Sequence, residues 1–159
     1  MSDKKRSDVP RRFFDKAEQQ AIVEAIGQAE LRTSGEIRFH VERDVPSKTP
    51  VEGDAYVRAR EVFAELGMQA TEARNGVLVY MAVRSKKFAV VGDEELHKLV
   101  GDGFWLDVVE TMRQHFAQNL FGDGVAAGVL QIGDKLVEHF PYQSDDVNEL
   151  SDEISFTDE

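Results

Sequence analysis

Hydrophobic and polar positions along the chain change period several times, and each change marks an element. Ala17, Ala21, Ala25 and Ala29 recur on one face with Ile22 and Ile26 beside them, the spacing of an amphipathic helix. Asp15 followed three residues later by Glu18 is a capping-box start, and Thr33-Ser34-Gly35 is the stop. EIRFHVER then alternates: Ile37, Phe39 and Val41 point one way, and Glu36, Arg38, His40 and Glu42 the other. That predicts a half-buried strand. Pro46 and Pro50 punctuate a loop, and Asp54 can cap a second helix carrying Tyr56, Val57, Val62, Phe63 and Leu66. Gly67 is its expected stop. NGVLVYMAV and KFAVVG are apolar, β-rich runs joined at Arg84-Ser85-Lys86, the pattern of a hairpin. A helical segment follows from Glu94, then a longer helix from about Phe104 to Leu120 with Trp105, Val108, Val109, Met112 and Phe116 on one face. Gly122-Asp123-Gly124 is expected to break it, with Asp123 capping a last helix that ends before Pro141.

A strand, a helix and a second strand in succession imply a parallel pair with a right-handed crossover. The hairpin adds an antiparallel strand. The expected fold is α/β: a three-layer α/β/α sandwich around a small mixed β-sheet. Residues 1–12 read as a flexible basic arm, 13–141 as the globular domain, and 142–159 as an acidic disordered tail without Lys or Arg.

Composition narrows the function classes. The chain has 159 residues and a formal net charge of -11, which argues against non-specific nucleic-acid binding and against anionic membranes. It contains no cysteine, so thiol catalysis and Cys-ligated zinc are excluded. No apolar run approaches a membrane span, and MSDKKRSDVPRRFF lacks the apolar core of a signal peptide. These features predict a soluble, cytoplasmic chain without membrane insertion or nucleic-acid partners.

The candidate chemistry lies in FAVVGDEELHKLVGDGFW. In the expected topology the starts of the two parallel strands and the end of the third share one edge. Glu36, Asn75, Asp93 and Asp102 would gather there as metal ligands for a hard divalent cation, calcium or magnesium. Turn and cap chemistry is the competing reading, with Asp102 capping the helix at Phe104. The opposite edge offers Arg43, Asp44, Lys48, Arg84, Lys86 and Lys87, a rim suited to an anion or to guarding an edge strand. His40, His97, His115 and His139 read as surface residues rather than ligands. No nucleophile motif or phosphate-cradling loop is present, so the catalytic residues of any enzyme here are unknown. In the tail, Val147, Leu150, Ile154 and Phe156 interleave with acids. They could form a short amphipathic helix in a partner protein's groove.

Four stretches resemble the TPM domain family, with its photosystem II repair, nematode receptor modulator and phosphatase founding members. They are TSGEIRFHVE, VFAELGMQATEARNGVLVYMAV, VVGDEELHKLVGDGFW and the final GDGVAAGVL helix. The resemblance implies an α/β/α sandwich and, in some members, divalent-cation binding, usually of calcium. It also implies acid phosphatase activity in some members and repair or assembly roles in others. The family's Gly-Asp-rich segment after the third strand maps onto Gly92, Asp93 and Asp102. The sequence therefore points to a calcium-binding interaction, assembly or chaperone-like module. The alternative is a weak metal-dependent acid phosphatase hydrolysing phosphate monoesters.

Overall fold

The structure, a computed structural model, describes residues 6–142 and 152–157. Its elements run α1 (Pro10–Phe13), α2 (Lys16–Glu30), β1 (Glu36–Glu42), α3 (Ala55–Glu65), a 3-10 turn (Met68–Ala70), β2 (Gly76–Ala82), β3 (Lys87–Gly92), α4 (Glu94–Val100), α5 (Leu106–Ala117), α6 (Phe121–Leu136) and β4 (Ser155–Phe156). The sheet order is β3-β2-β1-β4. β1 and β2 are parallel, β2 and β3 form the antiparallel hairpin, and β4 lies parallel to β1.

Two apolar layers hold the sheet. Ile37, Phe39, Val41, Val77 and Val79 pack with Ile22 and Ile26 of α2, Val108 and Met112 of α5, and Val129 and Ile132 of α6. The other face, Leu78, Tyr80, Ala89 and Val91, packs against Ala59, Val62 and Phe63 of α3. The molecule is thus the expected α/β/α sandwich. Local chemistry set several boundaries as expected. Asp15 and Glu18 exchange backbone hydrogen bonds in a full capping box, and Asp54 accepts from the Tyr56 and Val57 amides at the start of α3. Gly67 stops α3 at φ 70°, a left-handed conformation that favours glycine.

Four expectations are corrected. Gly122-Asp123-Gly124 does not break a helix, because it lies inside α6, whose first residue is Phe121. The turn comes earlier, at Asn119 with φ 63°. The glycines serve packing instead: a Cβ on Gly124 would stand 2.8 Å from His115 Cβ, so α5 and α6 approach too closely for a side chain. Second, β1 is buried on both faces, not half-buried. Glu42 lies under α3, where it accepts from Arg58 Nε at 3.0 Å, Arg58 Nη2 at 2.7 Å and the Tyr80 hydroxyl at 2.5 Å.

Third, the part of the tail that the structure describes is ordered against the sheet. Ser155 and Phe156 pair with His40 and Val41. Their neighbours bury His40 to 4% exposure, with its ring nitrogens 2.9 Å from Ser155 Oγ and 2.7 Å from Thr157 Oγ1. Val147 and Leu150, two of the four proposed helix anchors, lie outside the described residues, while Phe156 is in a strand. Fourth, the described part of the basic arm is docked. Arg6 donates to both carboxylate oxygens of Glu18 at 2.9 and 2.8 Å and lies over the rings of Phe13 and Phe121. Lys4 and Lys5 lie outside the described residues.

Candidate functional site

The parallel β1–β2 pair places Glu36 opposite Gly76, with Asn75 immediately before it. The antiparallel return of β3 brings Gly92 opposite Val77, and the Asp93 amide donates to the Gly76 carbonyl at 2.8 Å. Glu36, Asn75 and Asp93 therefore share one edge of the sheet, all buried, Asp93 completely so. A carboxylate with no exposure needs compensation. Asp93 finds it in Arg74, whose Nε lies 3.1 and 2.9 Å from the two carboxylate oxygens, and in the Glu95 amide at the start of α4, 2.8 Å away. Arg74 reaches it from a left-handed residue (φ 54°) in the turn leading into β2.

The same turn holds unsatisfied polar atoms. Asn75 Nδ2 and Thr71 Oγ1 are buried without a hydrogen-bond partner among the described residues. Such atoms are costly to leave unpaired. Glu36 stands on the β1 side of the edge, near enough to Glu30 that its charge helps raise the Glu30 carboxyl. Burial is the main cause of that rise, with the Asp152 carboxyl next, and together they carry Glu30 up to about 9.

The edge does not gather all four sequence candidates. The Asp102 side chain is 98% exposed, and its carboxylate lies 2.8 Å from His97 Nε2. It caps no helix, since α5 starts after Trp105 without a side-chain cap. Among the described residues no group of three or more His, Asp or Glu side chains is placed to hold a metal ion. The oxygens that share the edge are those of the Asp93 and Glu36 carboxylates, the Asn75 amide carbonyl and the Thr71 hydroxyl; the unpaired Asn75 Nδ2 is a hydrogen-bond donor and calls for an acceptor, not a cation. The oxygens suit calcium or magnesium in kind, and the guanidinium of Arg74 already stands at the carboxylate that such an ion would need.

His97 and Asp102 line a groove along the free edge of β3, about 560 Å³ in volume, together with Tyr56, Lys87, Trp105 and Arg113. Four residues separate His97 from Asp102 in sequence, and the turn at Gly101, φ 84°, brings them together. Arg74 was also missed. Its one sequence signal is its place beside Asn75-Gly76 at a strand start. At the far end of the parallel strands a second cavity of about 740 Å³ opens beneath the β2–β3 hairpin, lined by Phe13, Met81, Phe88, Phe116 and Phe121 and by several cations.

Comparison with known proteins places these features in a family. The family model for the TPM domain matches residues 9–135. The solution structure of the BA42 protein from the psychrophilic bacterium Bizionia argentinensis is 38% identical, with a TM-score of 0.81 over 92% of this chain and 97% of that one. The N-terminal domain of a P. gingivalis protein shares the fold at 16% identity, with a TM-score of 0.58 over 82% of each chain. No curated protein matches the chain. No helix among the described residues is long and apolar enough to cross a membrane.

Proposed function

The chain belongs to the TPM domain family, and from that premise we propose that it is a calcium-binding module serving interaction or assembly rather than turnover. One observation carries the reading. A fully buried Asp93 carboxylate shares a sheet edge with buried Glu36 and Asn75, beside a Thr71 hydroxyl that has no hydrogen-bond partner among the described residues. Asp93, Glu36 and Asn75 would hold the ion, with the Thr71 hydroxyl beside them; Asp102 would contribute only from the solvent side. A bound divalent ion would supply the positive charge that Arg74 now brings to Asp93. The chain's own part is to keep Asp93 dry and oriented through the Glu95 amide and the Gly76 carbonyl.

The test is calorimetric titration of the purified chain with calcium and magnesium. Asp93→Asn should weaken calcium binding roughly tenfold or more, in line with the loss of a charged ligand. Asp102→Asn should have a smaller effect. Wild-type affinity in Asp93→Asn would rule out this edge as the site.

A second reading, a weak metal-dependent acid phosphatase acting on phosphate monoesters, is favoured by the His97–Asp102 pair in a groove that also holds Lys87 and Arg113. Cationic side chains can hold a phosphate dianion, and an imidazole oriented by a carboxylate can pass a proton to a leaving oxygen. A bound divalent ion would supply the activated water. Turnover of p-nitrophenyl phosphate that falls with His97→Ala and stops in EDTA would support it. Turnover indifferent to both would sink it.

A further inference from the structure

The cavity beneath the β2–β3 hairpin is remote from the acidic edge, at the carboxyl ends of the parallel strands, where open α/β sheets usually take ligands. Its interior is a row of aromatic rings. Phe88 meets Phe116 edge-on at 5.0 Å, Phe116 meets Phe121 at 5.1 Å, and Phe121 meets Phe13 edge-on at 5.1 Å. Met81 completes the wall. Its volume, about 740 Å³, lies within the range of small-molecule pockets, roughly 300–1,000 Å³.

The rim has the opposite charge to the rest of the molecule. Arg6, Arg84, Lys86, Lys87 and Arg113 line it, against the single carboxylate of Asp8, which is engaged by Arg43 at 3.1 Å. Three of these cations are paired: Arg6 with Glu18, Arg84 with Asp44 and Arg113 with Glu110. Lys87 donates to the Gly53 carbonyl, and neither it nor Lys86 has an ion pair among the described residues. In a chain of net charge -11, a cationic mouth over an aromatic floor is not what composition alone would place there. Arg6 adds a buried donor: its side chain is 7% exposed and its Nε has no hydrogen-bond partner among the described residues.

We propose that this cavity binds a small amphiphilic anion, its apolar body against the Phe88–Phe116–Phe121–Phe13 row and its single carboxylate or phosphate head at Lys86 and Lys87. The apolar body explains the rings. The anionic head explains why two lysines stand at the hairpin without carboxylate partners among the described residues.

Titration of the full chain by calorimetry and by amide chemical-shift mapping tests this, with decanoate and decyl phosphate as the two anionic probes. Decanol and dodecyltrimethylammonium are the neutral and cationic controls. Both anions should bind more tightly than decanol, and the affected amides should be those of residues 81–88 and 113–121. The probe that binds more tightly identifies the head group. The double variant Lys86→Gln, Lys87→Gln should weaken the preferred anion about tenfold, leave decanol unchanged, and keep the melting temperature. Added salt should weaken the anions but not decanol. Equal binding of dodecyltrimethylammonium, shifts confined to another surface, or no saturation by millimolar anion would each overturn the proposal. Phe116→Leu, which removes one ring of the row, should weaken decanol and both anions alike; if it alters the fold, the lysine pair still decides the charge requirement. Calcium binding at Asp93 is a separate measurement, so neither result depends on the other.

Discussion

Glu30 and His40 are pulled away from their ordinary titration ranges in opposite senses. Burial, then the Asp152 carboxyl, raises Glu30 from 4.5 to about 9. Burial lowers His40 from 6.5 to about 4. The signs follow from which state holds more protons. Between pH 4.5 and about 9 the folded chain keeps a proton on Glu30 that the unfolded chain has released, so this residue's contribution to stability declines as pH rises through that window. Between pH 6.5 and about 4 the unfolded chain takes up a proton that folded His40 refuses, so its contribution declines as pH falls. Glu30→Gln should therefore raise the melting temperature at pH 8.5 and have little effect near pH 4.5, read from melts across the range. An equal gain at both pH values would show that the carboxyl is not protonated in the fold. Neither shift was legible in the sequence. His40 alternates with Phe39 and Val41 as a solvent-facing residue would, and the hydroxyls of the distant Ser155 and Thr157 close over its ring nitrogens.

At the scale of elements, local rules located nearly every helix and strand, because caps and periodicity act over a few residues: the Asp15–Glu18 box and the Asp54 cap are where the sequence placed them. The misses come from contacts that local rules do not see. Gly122 and Gly124 look like a break, yet they are the surface that lets α6 press on Glu18, His115 and Phe116. β4 is only Ser155–Phe156, too short and too acidic in context to read as a strand. Its weight comes from Ile154 and Phe156 against the core and from Arg11 over the Phe156 ring at 4.7 Å. Removing residues 152–159 should cost about 2 kcal/mol for two half-buried apolar side chains, a drop of roughly 4–8 °C in melting temperature. Proton titration by NMR should then find the His40 pKa returned toward 6.5. An unchanged melt would mean that β4 adds no stability.

Across the whole molecule the sheet separates two kinds of charge. One end holds buried Glu36 and Asp93; the other holds the cation-lined cavity beneath the hairpin. The sequence placed Glu36, Asn75 and Asp93 on a common edge because parallel and antiparallel strand directions fix where ends fall. It did not foresee Arg74, whose reach depends on a left-handed turn, nor that Asp102 would face solvent. If calcium is the partner of Asp93, Arg74 competes with it, and Arg74→Gln should tighten calcium binding several-fold in calorimetry while lowering the metal-free melting temperature. Unchanged affinity would place the ion elsewhere. The sheet order also has a bearing on biosynthesis. The edge of β1 is closed by residues such as Ser155, which lies 115 positions after its partner His40. At translation rates of about 5–20 residues per second, that edge stands open for roughly 6–23 s on each nascent chain. During that time β1 is a free strand edge, the kind that pairs with neighbouring chains. Messages cut short before this segment would yield chains that keep the exposed edge permanently.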